Sequence, residues 1–292
     1  MRAVRASWRC RQGMNFVVKT DDVLVPMAGG IGLELLDDEA DVTPVLRHFY
    51  RAGCRGAVVD IGANIGLVLL ALIKIDRRVP YIGIEPSVQA AAYIQRLITL
   101  NNLAATHSVY AVASSDECGA AALQTSGAHD VSATIDSRLR PSGMYRTRTA
   151  VCVSTGDLLL RDVASIDVIK IDVEGNECRV LAGLVQTIQR HRPALIVEIM
   201  PYYHLVDDSY SRAYFGNLSE SERMQLASNR RANMEALGAF MTQHGYDLYQ
   251  MRNGALHAAQ PSESTVGDQD FVAIPRERSN WFGIVPKEQA CA

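Results

Sequence analysis

The sequence lacks most features that would assign it at once. It has no C-x-x-C pair and no clustered histidines, and its six cysteines (Cys10, Cys54, Cys118, Cys152, Cys178, Cys291) are scattered over 292 residues. Such spacing indicates neither a zinc site nor a disulfide framework, and it fits a reducing cytoplasm. The longest apolar stretch, 65–75, runs into Asp76, Arg77 and Arg78, well short of the ~20 apolar residues a membrane-spanning helix needs. Arg2, Arg5, Arg9 and Arg11 adjoin no apolar segment, so they do not read as a signal peptide, and Met14 is an equally good start. Neither charge sign dominates: 29 Lys+Arg stand against 32 Asp+Glu, a formal net charge of -3. There is no basic footprint for nucleic acid. What remains, 48% apolar and 21% charged residues, is the composition of a globular chain long enough for one decorated α/β domain or two small ones.

Short apolar runs alternate with helical periodicity. Ala57-Val58-Val59-Asp60, Tyr81-Ile82-Gly83-Ile84 and the runs 109–113, 166–171 and 194–199 read as strands. Between them 67–74, 87–100 (with Ser87 as N-cap) and 178–189 read as helices. This alternation predicts a parallel, doubly wound α/β sheet with helices on both faces. Residues 119–153, rich in Thr, Ser, Gly and Ala, read as an antiparallel hairpin added to the sheet edge. A long helix is expected over 219–244, then closing strands at 245–249 and 271–274, with 260–267 a loop.

The sharpest motif is Val58-Val59-Asp60-Ile61-Gly62-Ala63-Asn64-Ile65-Gly66. A strand ends in an acid and passes through a glycine turn into a helix. Gly62 allows a tight turn and the close approach of a ligand, and Gly66 lets the helix start against the sheet. With Asn at position 64 it is not the dinucleotide fingerprint, and no Gly-Lys-Ser/Thr follows to make a P-loop. Glu85 closes the second strand, placed to accept from both hydroxyls of a ribose. The turn (Asp60, Gly62, Ala63, Asn64, Gly66) and Glu85 together describe a site for S-adenosyl-L-methionine, with its cationic amino group near Asp60. The plainer alternative is an ordinary glycine turn beside a surface glutamate.

A further string is more specific. Ile169-Lys170-Ile171-Asp172-Val173-Glu174-Gly175-Asn176-Glu177, then Val180-Leu181-Ala182-Gly183, then Pro193-Ala194-Leu195-Ile196-Val197-Glu198-Ile199 resembles the core of the FkbM-type methyltransferases. That pattern reads K-I-D-x-E-G-x-E, x-V-L-x-G and a strand ending in E-I. The Val-Asp-Ile-Gly-Ala-Asn-Ile-Gly turn, Gly83-Ile84-Glu85-Pro86, Gly245-Tyr246 and Asp270-Phe271-Val272-Ala273-Ile274-Pro275 match as well. The resemblance covers residues 55–275 as one catalytic domain, leaving 1–54 as a lead-in and 276–292 as a tail. Gly156 departs from it, standing before Asp157 where the family usually has an apolar residue, so no role is carried to Asp157. The resemblance implies a class I, Rossmann-like methyltransferase fold, with a mainly parallel sheet and an antiparallel edge. It also implies O-methylation of a sugar, glycolipid or polyketide-type hydroxyl, with S-adenosyl-L-methionine as donor.

Methyl transfer to a hydroxyl requires an aligned acceptor, excluded water and removal of a proton. Asp172 and Glu174 end one strand and Glu198 another, at the carboxyl edge where α/β sheets bind ligands. Asp172, which also adjoins the cofactor, or Glu174 is expected as base, with Glu198 orienting the acceptor. The plainer role for Glu177, and for Glu174, is to favour the first turn of the next helix. These carboxylates are also hard oxygen ligands of the kind that suit Mg²⁺, but no metal is assigned. Tyr202, Tyr203, Tyr210, Tyr214 and Phe215 crowd one segment in a chain with only 7% aromatics. Such rings suit the apolar faces of a sugar. His204 is an alternative base. Arg138, Arg140, Arg146 and Arg148 form a basic run that either meets an acceptor phosphate or, more simply, is a solvated hairpin.

The rival readings are a methyltransferase acting on nucleic acid or protein, or a non-catalytic module binding an adenosine cofactor. Amino-directed enzymes carry [D/N]-P-P-[Y/F/W] and cytosine-C5 enzymes a Pro-Cys nucleophile; this chain has neither. A small-molecule hydroxyl acceptor is expected as the partner, and a homo-oligomer is left open.

Overall fold

A computed structural model describes residues 16–20, 23–27, 42–126, 132–141, 143–206, 218–263 and 269–282. A hairpin of β1 (Phe16–Thr20) and β2 (Val23–Met27) precedes α1 (Thr43–Arg51). Next come β3 (Ala57–Ile61), α2 (Leu67–Asp76), β4 (Tyr81–Ile84), α3 (Val88–Leu100) and β5 (His107–Tyr110). Three strands follow, β6 (Ala113–Ser115), β7 (Gly119–Thr125) and β8 (Thr147–Thr155), then the short α4 (Gly156–Leu159). The chain continues through β9 (Ile166–Ile171), α5 (Glu177–Ala182), α6 (Val185–His191) and β10 (Ala194–Glu198). It closes with α7 (Glu220–Gln243), β11 (Tyr246–Arg252), β12 (Ala255–Ala258) and β13 (Asp270–Pro275).

The main sheet has eight strands in the order β12-β11-β13-β10-β9-β3-β4-β5. The run from β10 to β5 is parallel and the β13, β11, β12 side antiparallel, so the expected architecture is present. All five residues of β3 are buried, as a parallel strand covered on both faces requires. Alternate residues supply two cores. Val58, Val168 and Ile196 face α1, α2 and α3, while Val59, Ile169 and Leu195 face α5, α6 and α7. Ser87 caps α3 as expected, accepting from the Ala90 N–H at 3.4 Å, and Ser219 and Glu222 form a capping box on α7.

Three expectations change. The 119–153 segment is antiparallel, but β7 and β8 join β6 in a separate three-stranded sheet, order β6-β8-β7, instead of extending the main sheet. The helix expected over 178–189 is two helices broken at Gly183. The Ser115 backbone passes so close that a Cβ on Gly183 would lie 2.0 Å from the Ser115 carbonyl oxygen. The lead-in to residue 54 also reaches into the core: Val23, Val25, Val45 and Phe49 are buried there. Leu24 and Asn101 exchange two hydrogen bonds of 2.8 Å, and the Tyr93 hydroxyl donates to the Pro26 carbonyl at 2.5 Å.

Candidate active site

The turn after β3 holds three left-handed residues, Gly62 (φ 86°), Asn64 (φ 47°) and Gly66 (φ 89°), a conformation that favours glycine and tolerates Asn. The Gly62 and Ala63 N–H groups both donate to the Ile84 carbonyl, at 2.9 and 3.3 Å, and the Asp172 N–H donates to the Ile61 carbonyl at 3.0 Å. A Cβ on Gly62 would sit 1.8 Å from the Asp172 carbonyl oxygen. Glycine is therefore demanded here by the neighbouring strand end as well as by φ. Gly66 faces Ile94 and Leu97 of α3, not the sheet.

Beside the turn lies a cavity of about 600 Å³, lined among others by Gly62, Asn64, Glu85, Asp172 and Glu174. That size is usual for a small-molecule or cofactor site. Glu85 is 6% exposed. Its Oε2 accepts from the Asn64 N–H at 2.8 Å and its Oε1 from the Ser87 N–H at 2.7 Å, and each oxygen keeps a further lone pair for a ribose hydroxyl. Burial pushes its carboxyl up to about 7 against those two bonds. Among the described residues the lining has three carboxylates and no Lys, Arg or His, so it fits a cationic sulfonium cofactor. Asp60 is placed differently from the expectation. It has no exposed surface, is absent from the lining, and accepts at Oδ2 from the Tyr81 hydroxyl at 2.8 Å. Burial raises its pKa despite the facing Lys170 and Tyr81. It is enclosed within the sheet and is not among the residues that line the cavity. Ala63 and Gly66 likewise shape the turn without lining the cavity.

Asp172, Glu174 and Glu198 converge, one carboxylate oxygen of each lying within 4.8 Å of the others. The Lys170 ammonium donates to Asp172 Oδ2 at 2.8 Å. Burial opposes the Lys170 charge, but Asp172 and Asp60 together hold its pKa above the usual range. Arg140 pairs with Glu174. Glu198 Oε2 is buried without a hydrogen-bond partner, and burial, with Asp172 and Glu177 nearby, holds its carboxyl well above the usual carboxylate range. The loop between β9 and α5 carries two left-handed residues in succession, Glu174 (φ 58°) and Gly175 (φ 116°). Glu177 fixes it: its Oε1 accepts from the Gly175 and Val173 N–H groups at 2.9 and 3.3 Å.

The family model described as "Methyltransferase FkbM domain" matches residues 60–248. The chain belongs to the FkbM methyltransferase family. It is thus a class I methyltransferase that depends on S-adenosyl-L-methionine. Among solved structures it is similar to the FkbM methyltransferase of Methylobacillus flagellatus KT (17% identity, TM-score 0.39). That match covers 75% of this chain and 43% of the other, so this chain spans less than half the length of that one. It is also similar to the methyltransferase PaMTH1 of Podospora anserina (11% identity, TM-score 0.43), over 94% of each chain. The O-methyltransferase of Bacillus cereus matches at 12% identity and a TM-score of 0.42, over 82% of this chain and 83% of that one. A search of curated proteins finds no match. Among the described residues no helix is long and apolar enough to cross a membrane.

In this FkbM methyltransferase the described part of the aromatic segment does not line the cavity. Tyr202 and Tyr203 pack edge-on, with ring centroids 5.9 Å apart, and neither lines the cavity. Tyr210, Tyr214 and Phe215 lie outside the described residues. His204 falls in a 3₁₀ turn, Tyr203–Leu205, with its side chain outside the described set. Sequence reasoning missed one residue and the partner of another. Arg140, expected in a basic run near an acceptor phosphate, instead reaches the carboxylate cluster from 34 positions before Glu174. Arg230 of α7, 4% exposed, donates to the Leu139 carbonyl at 2.9 Å and the Pro201 carbonyl at 3.1 Å, tying down the segments on either side of the cluster. A buried helical arginine is the signal for such a clamp, but nothing in the sequence names its partners.

Proposed function

We propose that this protein is a cytoplasmic O-methyltransferase that methylates a hydroxyl of a small molecule, a sugar or a polyketide-type acceptor. The observation that carries the reading is the convergence of Asp172, Glu174 and Glu198 within 4.8 Å, with the first two opening onto the same cavity as Gly62, Asn64 and Glu85. S-adenosyl-L-methionine supplies, when bound, a methyl group on a sulfonium. Glu85 would accept from the ribose hydroxyls, and Gly62 and Asn64 of the turn would hold the cofactor beside it. Asp172 accepts the acceptor's proton: its side chain is 35% exposed, against 13% for Glu174, whose carboxylate is taken up by Arg140. Glu198, which holds a proton to higher pH than an ordinary glutamate, orients the acceptor.

The test is release of S-adenosylhomocysteine by Asp172→Asn and Glu174→Gln, with cofactor affinity measured by calorimetry. Turnover should vanish in Asp172→Asn and fall in Glu174→Gln, while affinity stays within a few-fold. Full turnover in both variants, or no heat with S-adenosyl-L-methionine in the wild-type protein, sinks the reading.

A further inference from the structure

The cavity beside the 62–66 turn has a further wall, built by the β7–β8 hairpin. In the β7–β8 hairpin Ala121 pairs with Val151, Leu123 with Thr149, and Thr125 with Thr147. Directly paired residues share a face, and Leu123, Thr125, Thr147, Thr149 and Val151 all line the cavity. The alternate residues, Ala120, Ala122, Arg148, Ala150 and Cys152, are exposed on the other face. The inner face is graded: Leu123 and Val151 are buried, whereas Thr147 and Thr149 are exposed hydroxyls. Thr134 adds to the wall, bridging to Gln124 and donating to the Val173 carbonyl at 3.3 Å. That bond fastens the wall to the loop that carries Asp172 and Glu174.

Resting on the methyl-transfer reading, we propose that the inner face of the β6-β8-β7 sheet binds the acceptor. It takes an uncharged polyhydroxyl compound with an apolar face and rejects a phosphorylated or carboxylated one. Threonine hydroxyls donate to and accept from alcohols, and Leu123 and Val151 cover the apolar face. The charge balance decides against anions. Of the four arginines expected near an acceptor phosphate, Arg138 pairs with Asp136 at 2.6 Å, Arg140 pairs with Glu174, Arg148 is on the outer face and Arg146 is not among the lining residues. An anionic acceptor would be desolvated beside Asp172 and Glu174 with no cation in the described lining to receive it.

The experiment uses two probes that differ at one carbon, p-nitrophenyl β-D-glucopyranoside and p-nitrophenyl β-D-glucuronide, titrated by ligand-observed NMR onto protein saturated with S-adenosylhomocysteine. The glucoside should bind at least about tenfold more tightly, and Thr149→Val or Leu123→Asp should weaken it by about tenfold with S-adenosylhomocysteine affinity unchanged. Thr149→Lys, which supplies the missing cation, should narrow the gap between the probes. Equal or tighter binding of the glucuronide, no binding of the glucoside, or wall variants that leave glucoside binding unchanged overturns the proposal. Failure of S-adenosylhomocysteine to bind the wild-type protein overturns the methyl-transfer reading beneath it.

Discussion

Gly62 lies against the carbonyl oxygen of Asp172, so close that a Cβ would be 1.8 Å from it. The turn at 62–66 and the strand end that bears the carboxylates are therefore one packed unit. Gly62→Ala meets two penalties, this clash and a φ of 86°. It should cost about 3 kcal/mol or more and weaken S-adenosyl-L-methionine binding together with the loss of stability. Thermal unfolding and calorimetry on the same preparation check it; an unchanged Tm would show that the two segments separate freely.

If Glu85 holds the ribose as proposed, cofactor binding should depend on pH. Burial pushes its carboxyl from an ordinary 4.5 up to about 7, and the ionised form is the better acceptor for ribose hydroxyls. Affinity should therefore rise as pH increases through about 7. For the free protein the sign is opposite. The folded chain holds a proton that the unfolded chain has released between 4.5 and about 7, so this group's contribution to stability is lost as pH rises across that window. Glu85→Gln should remove both trends. A calorimetric titration series from pH 6 to 8 that is flat in the wild-type protein would contradict the assignment.

Arg230 is the clamp between α7 and the segments carrying Arg140 and Pro201. Arg230→Met should leave the Leu139 and Pro201 carbonyls without their donors and destabilise the protein by about 3 kcal/mol, with Arg230→Lys recovering part of the loss. Urea unfolding midpoints for the three proteins measure this, and coincident midpoints would refute it.

How far the sequence could be read depended on whether neighbours in space were also neighbours in the chain. The strands 166–171 and 194–198 were legible because both faces are largely buried and aliphatic residues dominate them, interrupted only by Asp167, Lys170 and the terminal Glu198. The carboxylates at their ends, and Glu85 after β4, followed from strand direction alone. The hairpin was legible as a hairpin, since alternation is local. Its sheet was not, because pairing β8 with β6 depends on β6 leaving the main sheet after β5. The break at Gly183 depends on Ser115, 68 positions earlier, and Arg140 meets Glu174 only through the fold. The surroundings of Asp60 were hidden for a related reason: a strand-end acid looks like a ligand-facing group, and the Tyr81 hydroxyl that bonds it lies 21 positions on. Tyr202 and Tyr203 drew attention by composition, while among the described residues the hairpin wall of the cavity is made of threonine and aliphatic residues that no composition count singles out.

The three-stranded sheet is hydrogen-bonded within itself and not to the eight-stranded one. It meets the catalytic layer at a few points, Asn176 donating to the Ser114 carbonyl, Thr134 donating to that of Val173, and Ser115 against Gly183. Exchanging this one hairpin would remake a wall of the cavity while the turn at 62–66 and the carboxylates of Asp172 and Glu174 stayed where they are, so the two sides of the cavity are free to evolve at different speeds.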